Sequence, residues 1–221
     1  MAKATKPAGK SAAATKTTAG KSMMSKGVAS KGAAQKSTST KQAGSKTGAS
    51  RPGKSEETKL RELFVEELKD LYYAEKLLLK TMPKLAKAAT SEELRMAYQQ
   101  HITESEGQVE RLNQVFEQLG MSPKAKKCEA MTGLVQEAEH AISDTDKGTA
   151  TRDAALIISS QKAEHYEIAS YGSLMALAKV MGENQVAQLL SQNLQEEKNT
   201  DEKLSQLAES TINIKAEAEP Q

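Results

Sequence analysis

Residues 60–82, LRELFVEELKDLYYAEKLLLKTM, decide the fold. Leu60, Phe64, Leu68, Leu71, Leu78 and Met82 recur at intervals of three and four, which lines them along one side of a helix and is not the alternation of a strand. Glu75 falls on the same stripe. A carboxylate in an apolar face is costly unless it is protonated, hydrogen-bonded or bound to a cation, so the fold-determining stretch already raises a chemical question. Ser55 is expected to cap this helix, which runs to about Ala89. Pro83 lacks an N–H and crowds the preceding turn, and is expected to kink or divide it near Leu79–Met82.

Working outward, the same periodicity continues to the end of the chain. Thr90-Ser91-Glu92-Glu93 reads as a capping box opening a second helix through Leu94, Tyr98, His101, Ser105, Val109, Leu112 and Phe116 to a stop at Gly120. After a connector at 121–127, a shorter helix is expected over about 127–142, with Met131, Leu134, Val135, Ala138 and Ile142 on one side. A third long helix is expected from about Thr151 to Met181, ending at Gly182, and a fourth from about Glu183 to Ser210. Residues 211–221 read as a flexible acidic end. Short loops make each long pair an antiparallel hairpin, and the longer crossover joins the pairs, so residues 56–210 read as an all-α four-helix bundle with a short extra helix in the crossover.

Sliding the chain against itself by 92 residues aligns the first hairpin with the second without a gap. Between 75 and 117 the identities include Glu75/Glu167, Gln100/Gln192, Glu104/Glu196, Leu112/Leu204 and Glu117/Glu209. The repeat therefore puts one carboxylate on each long helix: Glu75, Glu104, Glu167 and Glu196. Carboxylates converging on a bundle axis supply hard oxygen ligands for two divalent metals, with iron and manganese the expected ions. His101, Glu164 and Glu197 lie within a turn of these positions and join the candidate ligand set. His165 and His140 read as surface residues. The usual Glu-x-x-His pairing is missing, because Gly107 and Asn199 stand three residues after Glu104 and Glu196.

Four segments carry a family resemblance: Glu67 to Glu75 (ELKDLYYAE), His101 to Leu112 (HITESEGQVERL), Lys162 to Gly172 (KAEHYEIASYG) and Glu196 to Leu204 (EEKNTDEKL). Together they resemble the bacterial YciE/YciF-type ferritin-like proteins over about 58–210. The resemblance implies a ferritin-like bundle, often dimeric, in a stress-associated group. It carries the metal-site role onto Glu75, His101, Glu104, Glu164, Glu167, Glu196 and Glu197. A homodimer is expected, with the apolar side of the short helix as its surface.

Residues 1–55 differ from everything after them. They hold eleven lysines, one arginine and no acidic residue, a charge of +12 against −10 for residues 56–221. From Lys16 the lysines keep a five-residue beat through Lys21, Lys26, Lys31, Lys36, Lys41 and Lys46. Ala, Gly, Ser and Thr fill most of the rest, which cannot bury enough surface to offset ordering entropy, so the segment is expected to be disordered. Its charge suits nucleic-acid phosphates without base reading. Cys128 alone forms no internal disulfide and reads as a small buried residue in a reducing cytoplasm, where the tail is expected to gather the protein at the nucleoid; no stretch is apolar enough for a membrane span. Two functional readings stay open: a di-metal oxidase or peroxidase, and a non-catalytic dimeric nucleoid-associated or structural protein.

Overall fold

The computed structural model describes residues 58–220. The disorder expected for residues 1–55 and the seven evenly spaced lysines lie outside the described residues. Helix α1 spans Lys59–Ala88, α2 Glu92–Gln118, α3 Glu129–Ser143, α4 Ala150–Val180 and α5 Asn184–Leu207. A π turn, Ala208–Ile212, leads into α6, Asn213–Glu217. α1 packs on α2, α2 on α5, α5 on α4 and α4 on α1, which closes a four-helix ring, while α3 lies outside it against α4 and α1. Among the described residues there is no strand, and no helix is long and apolar enough to cross a membrane.

The helix ends follow local chemistry. Thr58 takes the role expected of Ser55, its hydroxyl accepting from the Arg61 N–H. Ser91, one residue later than the sequence suggests, caps α2 by accepting from the Leu94 N–H. The box glutamate is replaced in space by Asp153 of α4, whose carboxylate oxygens each accept a backbone N–H, from Thr90 and Ser91, at 2.7 Å. Such a partner 62 residues away cannot be read from local sequence. Gly120 and Gly182 stop α2 and α4 at φ of 70° and 77°, a conformation that side chains disfavour. Pro83 does not divide α1, which stays one helix of 30 residues.

Two expectations are corrected. The chain does not fray after Ser210: Ile212 is buried, and the Glu219 carboxylate accepts from the Thr151 N–H and hydroxyl and the Ala150 N–H at the start of α4. Glu219 thus caps α4 from the far end of the chain, a contact that periodicity could not reveal. The apolar side of α3 is spent within the chain, with Met131, Val135 and Ala138 buried against the bundle. Leu134 and Ile142 of the same stripe are half-buried.

The core consists of two apolar clusters. One gathers Phe64, Leu68, Leu112, Phe116, Leu174 and Leu190, the other Leu85, Leu94, Tyr98, Leu156, Leu204 and Ile212. Each fully buried Leu or Phe contributes about 1.5–3 kcal/mol. On α2 and α5 the clusters are separated by polar stretches, His101 to Gln108 and Asn193 to Thr200, and the candidate site occupies that interval.

Candidate metal centre

On α2, His101, Ser105 and Gln108 are spaced to share the inner face; on α5, Asn193, Glu197 and Thr200 do the same. All six are buried. α1 brings Glu75 to this level, and α4 brings Glu164, Glu167 and Tyr171. Four carboxyl groups and an imidazole are thereby enclosed, each no more than 5% exposed.

The groups are tightly placed. His101 Nε2 lies 3.2 Å from Glu164 Oε1, and His101 Nδ1 lies 3.4 Å from Thr200 Oγ1 and 3.9 Å from Glu104 Oε2. One ligand atom each from His101, Glu164 and Glu197 lies within 4.8 Å of the others. Glu75 on α1 and Glu167 on the neighbouring α4 are close enough for their charges to act on one another, as are Glu164 on α4 and Glu197 on α5. Tyr171 donates its hydroxyl proton to Glu75 Oε1.

Burial dominates the electrostatics. It pushes the Glu75 carboxyl up to about 7, against the Tyr171 hydrogen bond and the His101 charge, which favour ionisation. Glu167 rises well above the usual carboxylate range through burial and then through the charges of Glu75, Glu197 and Glu164. Glu197 rises likewise, from burial first and the charges of Glu164 and Glu75 next. For His101, burial favours the neutral ring, but the charge of Glu164, hydrogen bonds to Glu104 and Glu164 and the charge of Glu197 together outweigh it and raise the imidazole well above its ordinary value.

Hydrogen bonding leaves this layer unsatisfied. Among the described residues, Glu75 Oε2, Glu164 Oε2 and both oxygens of Glu167 and Glu197 are buried without a partner, as are both amide atoms of Gln108. Unpartnered buried polar atoms are rare in native proteins, and six carboxylate oxygens in one layer fit the donor set of hard divalent cations.

The structure sorts the sequence candidates into two groups. Glu75, His101, Glu164, Glu167 and Glu197 share the interior, whereas Glu104 and Glu196 stand at the rim. Glu104 accepts from Gln100 Nε2, and Glu196 accepts from Arg111. The physical reason is register: Ser105, not Glu104, matches the inward position of Glu197 under the 92-residue repeat. His165 and His140 are exposed. Sequence reading missed Tyr171 and Gln108, though Tyr171 stands one helical turn after Glu167 and Gln108 one turn after Ser105. Arg111 carried no such signal.

A left-over carboxylate layer inside a closed four-helix ring defines the ferritin-like class of bundles. The chain belongs to the family described as "Domain of unknown function (DUF892)", whose model matches residues 59–217. It is 46% identical over 159 residues to protein YciF of Escherichia coli K12, covering 72% of this chain and 95% of YciF. The crystal structure of that E. coli stress protein superposes with a TM-score of 0.67 at 45% identity, over 71% of this chain and 98% of the other. YcfI of Rhodopseudomonas palustris, whose description proposes a structural role, gives 0.65 at 37% identity, over 67% and 94%. A protein of Xanthomonas campestris gives 0.57 at 27% identity, over 73% and 98%.

Proposed function

We propose that this chain is a stress-associated ferritin-like protein of the cytoplasm that holds a dinuclear iron or manganese centre in its bundle and attaches to nucleic acid, without sequence preference, through the lysines of residues 1–55. The stress association follows the likeness to E. coli YciF. The observation that carries the metal reading is the set of six buried, unpartnered carboxylate oxygens beside His101. His101, Glu164 and Glu197 would hold one ion, and Glu75 and Glu167 the second, with Glu197 free at both oxygens to serve either. Two such ions would supply two-electron chemistry toward dioxygen or peroxide.

The chain's own residues prepare that site. Thr200 and Glu104 flank the His101 ring on its Nδ1 side and leave Nε2 toward Glu164. Tyr171 occupies one oxygen of Glu75 and leaves the other free. The two apolar clusters exclude bulk water from above and below, which strengthens every charge interaction in the layer. Protons held by Glu75, Glu167 and Glu197 leave as a cation enters, so cation binding tightens as pH rises.

One feature favours the non-catalytic reading: burial raises the Glu167 and Glu197 carboxyls well above the usual carboxylate range, which lowers the cost of closing the bundle as a scaffold without an ion. Titration calorimetry with Mn2+ at pH 7.5 separates the two, saturable binding being expected. For the tail, the full chain should bind duplex DNA with a log–log salt slope of about −0.9 per phosphate neutralised, and a chain lacking residues 1–54 should lose most of that binding. Equal DNA binding by both chains removes the nucleic-acid role.

A further inference from the structure

The buried Glu75 is joined to the bundle rim by a single line of hydrogen bonds whose direction is fixed at its outer end. Arg111 of α2 donates through Nε to Asn193 Oδ1 and through Nη2 to Glu196. A guanidinium has donors and no acceptor, so the amide oxygen of Asn193 must face Arg111. The Asn193 Nδ2 is thereby turned inward, where it donates to the Tyr171 hydroxyl oxygen at 2.9 Å and to the Gln108 backbone carbonyl at 3.3 Å. With its oxygen already accepting, the Tyr171 hydroxyl is directed to donate to Glu75 Oε1.

The consequence falls on one candidate ligand. Glu75 retains Oε2 as its only unpartnered oxygen, whereas Glu167 and Glu197 retain both. Asn193 and Tyr171 are fully buried and held on every polar atom, so neither can turn away at small cost. A Cβ at Gly107 would meet Arg111 Nη1 at 3.6 Å, ordinary van der Waals contact, so the guanidinium lies beside the place where the usual bundle pattern has a histidine. Arg111 thus occupies the side of α2 that a ligand three residues after Glu104 would use.

Resting on the metal reading above, we infer that Arg111, Asn193 and Tyr171 form a positioning relay that holds Glu75 as a one-oxygen ligand of its cation. Arg111 sets the amide, the amide sets the phenol, and the phenol sets the carboxylate. None of the three touches the cation. Outer partners of this kind are generally worth 10–100-fold in metal affinity.

The test is Mn2+ titration calorimetry on the full chain at pH 7.5, with circular dichroism of each metal-free variant as the folding control. Tyr171→Phe should weaken binding by about 10–100-fold. Asn193→Leu and Arg111→Met should weaken it in the same direction. Because the three act in series, Tyr171→Phe with Asn193→Leu should bind no worse than the weaker single variant, and Arg111→Lys, which remains a pure donor, should recover most of the Arg111→Met loss. A second readout needs no metal: the Tyr171 hydroxyl proton should resonate downfield in proton NMR of the metal-free protein and should shift in Arg111→Met. Wild-type affinity in a folded Tyr171→Phe or Arg111→Met chain, or additive losses in the double variant, would overturn the relay while leaving the metal centre standing. Absence of Mn2+ binding by the wild type would overturn both.

Discussion

The two helical hairpins are related by the 92-residue repeat, yet they furnish the central layer unequally. The second contributes Glu164, Glu167 and Glu197, while the first contributes Glu75 and His101. At matched inner positions, Glu75 faces Glu167 as an identity, but Tyr72 stands opposite Glu164, Leu79 opposite Tyr171, His101 opposite Asn193 and Ser105 opposite Glu197. A repeat preserves where a side chain points more faithfully than what it carries. The inner face is common to both halves; the chemistry is divided between them, with ligand charge concentrated in one hairpin and its imidazole in the other.

The inequality of the two hairpins is largest at the matched pair Ser105 and Glu197. Glu197→Ala should reduce Mn2+ affinity by more than about 100-fold, since losing even an outer partner costs 10–100-fold, whereas Ser105→Ala should leave affinity within about threefold. Equal effects measured by calorimetry would mean that the halves contribute alike. Next in size is stability against pH. Glu75 binds a proton up to about 7 in the folded chain and only up to about 4.5 when unfolded, so the folded state holds more protons in that interval and loses stability as pH rises through it. His101, raised on folding, acts in the same direction, its contribution present below its unfolded value and lost as pH climbs past its folded one. Metal-free protein should therefore lose on the order of 5 °C in Tm between pH 5 and pH 8. Glu75→Gln, carrying no such proton, should flatten that dependence, and a slope unchanged by the substitution would show that Glu75 is not the titrating group.

The smallest effects belong to the rim. Glu104→Gln should change Mn2+ affinity by less than about fivefold, because Glu104 reaches the centre only through His101 Nδ1, at 3.9 Å. A loss as large as that of Glu197→Ala would place Glu104 among the direct ligands. The surface pair Arg61–Glu183, at 2.8 Å and about a third exposed on each side, should contribute under about 1 kcal/mol when Glu183→Gln is compared in denaturant unfolding.

What the sequence disclosed follows from the range of the physics involved. Helix periodicity and glycine stops are local, so the four long helices, the extra helix and the ends at Gly120 and Gly182 were legible in residue order. Glu75 was legible because it lies on an apolar stripe, and Glu167 because the repeat matches it to Glu75. Glu104 and Glu196 were drawn into the centre by their identity under the repeat, although the inward register on α2 and α5 passes through Ser105 and Glu197, one residue on. The caps supplied by Asp153 and Glu219, and the reach of Arg111 to Asn193, depend on helices meeting in space. No spacing rule within one helix encodes them. The short helix α3 shows the converse error: its apolar stripe was real, but whether such a stripe meets a partner or its own bundle is decided by the chain's path.

Whether the buried carboxylate layer is a cation site can be read by elemental analysis of the full chain purified without added metal, alongside Glu197→Ala. One to two equivalents of iron or manganese per wild-type chain are expected, with a marked loss in the variant. A folded wild-type chain that carries no metal, and takes up neither Fe2+ nor Mn2+ at neutral pH, would contradict a cation site.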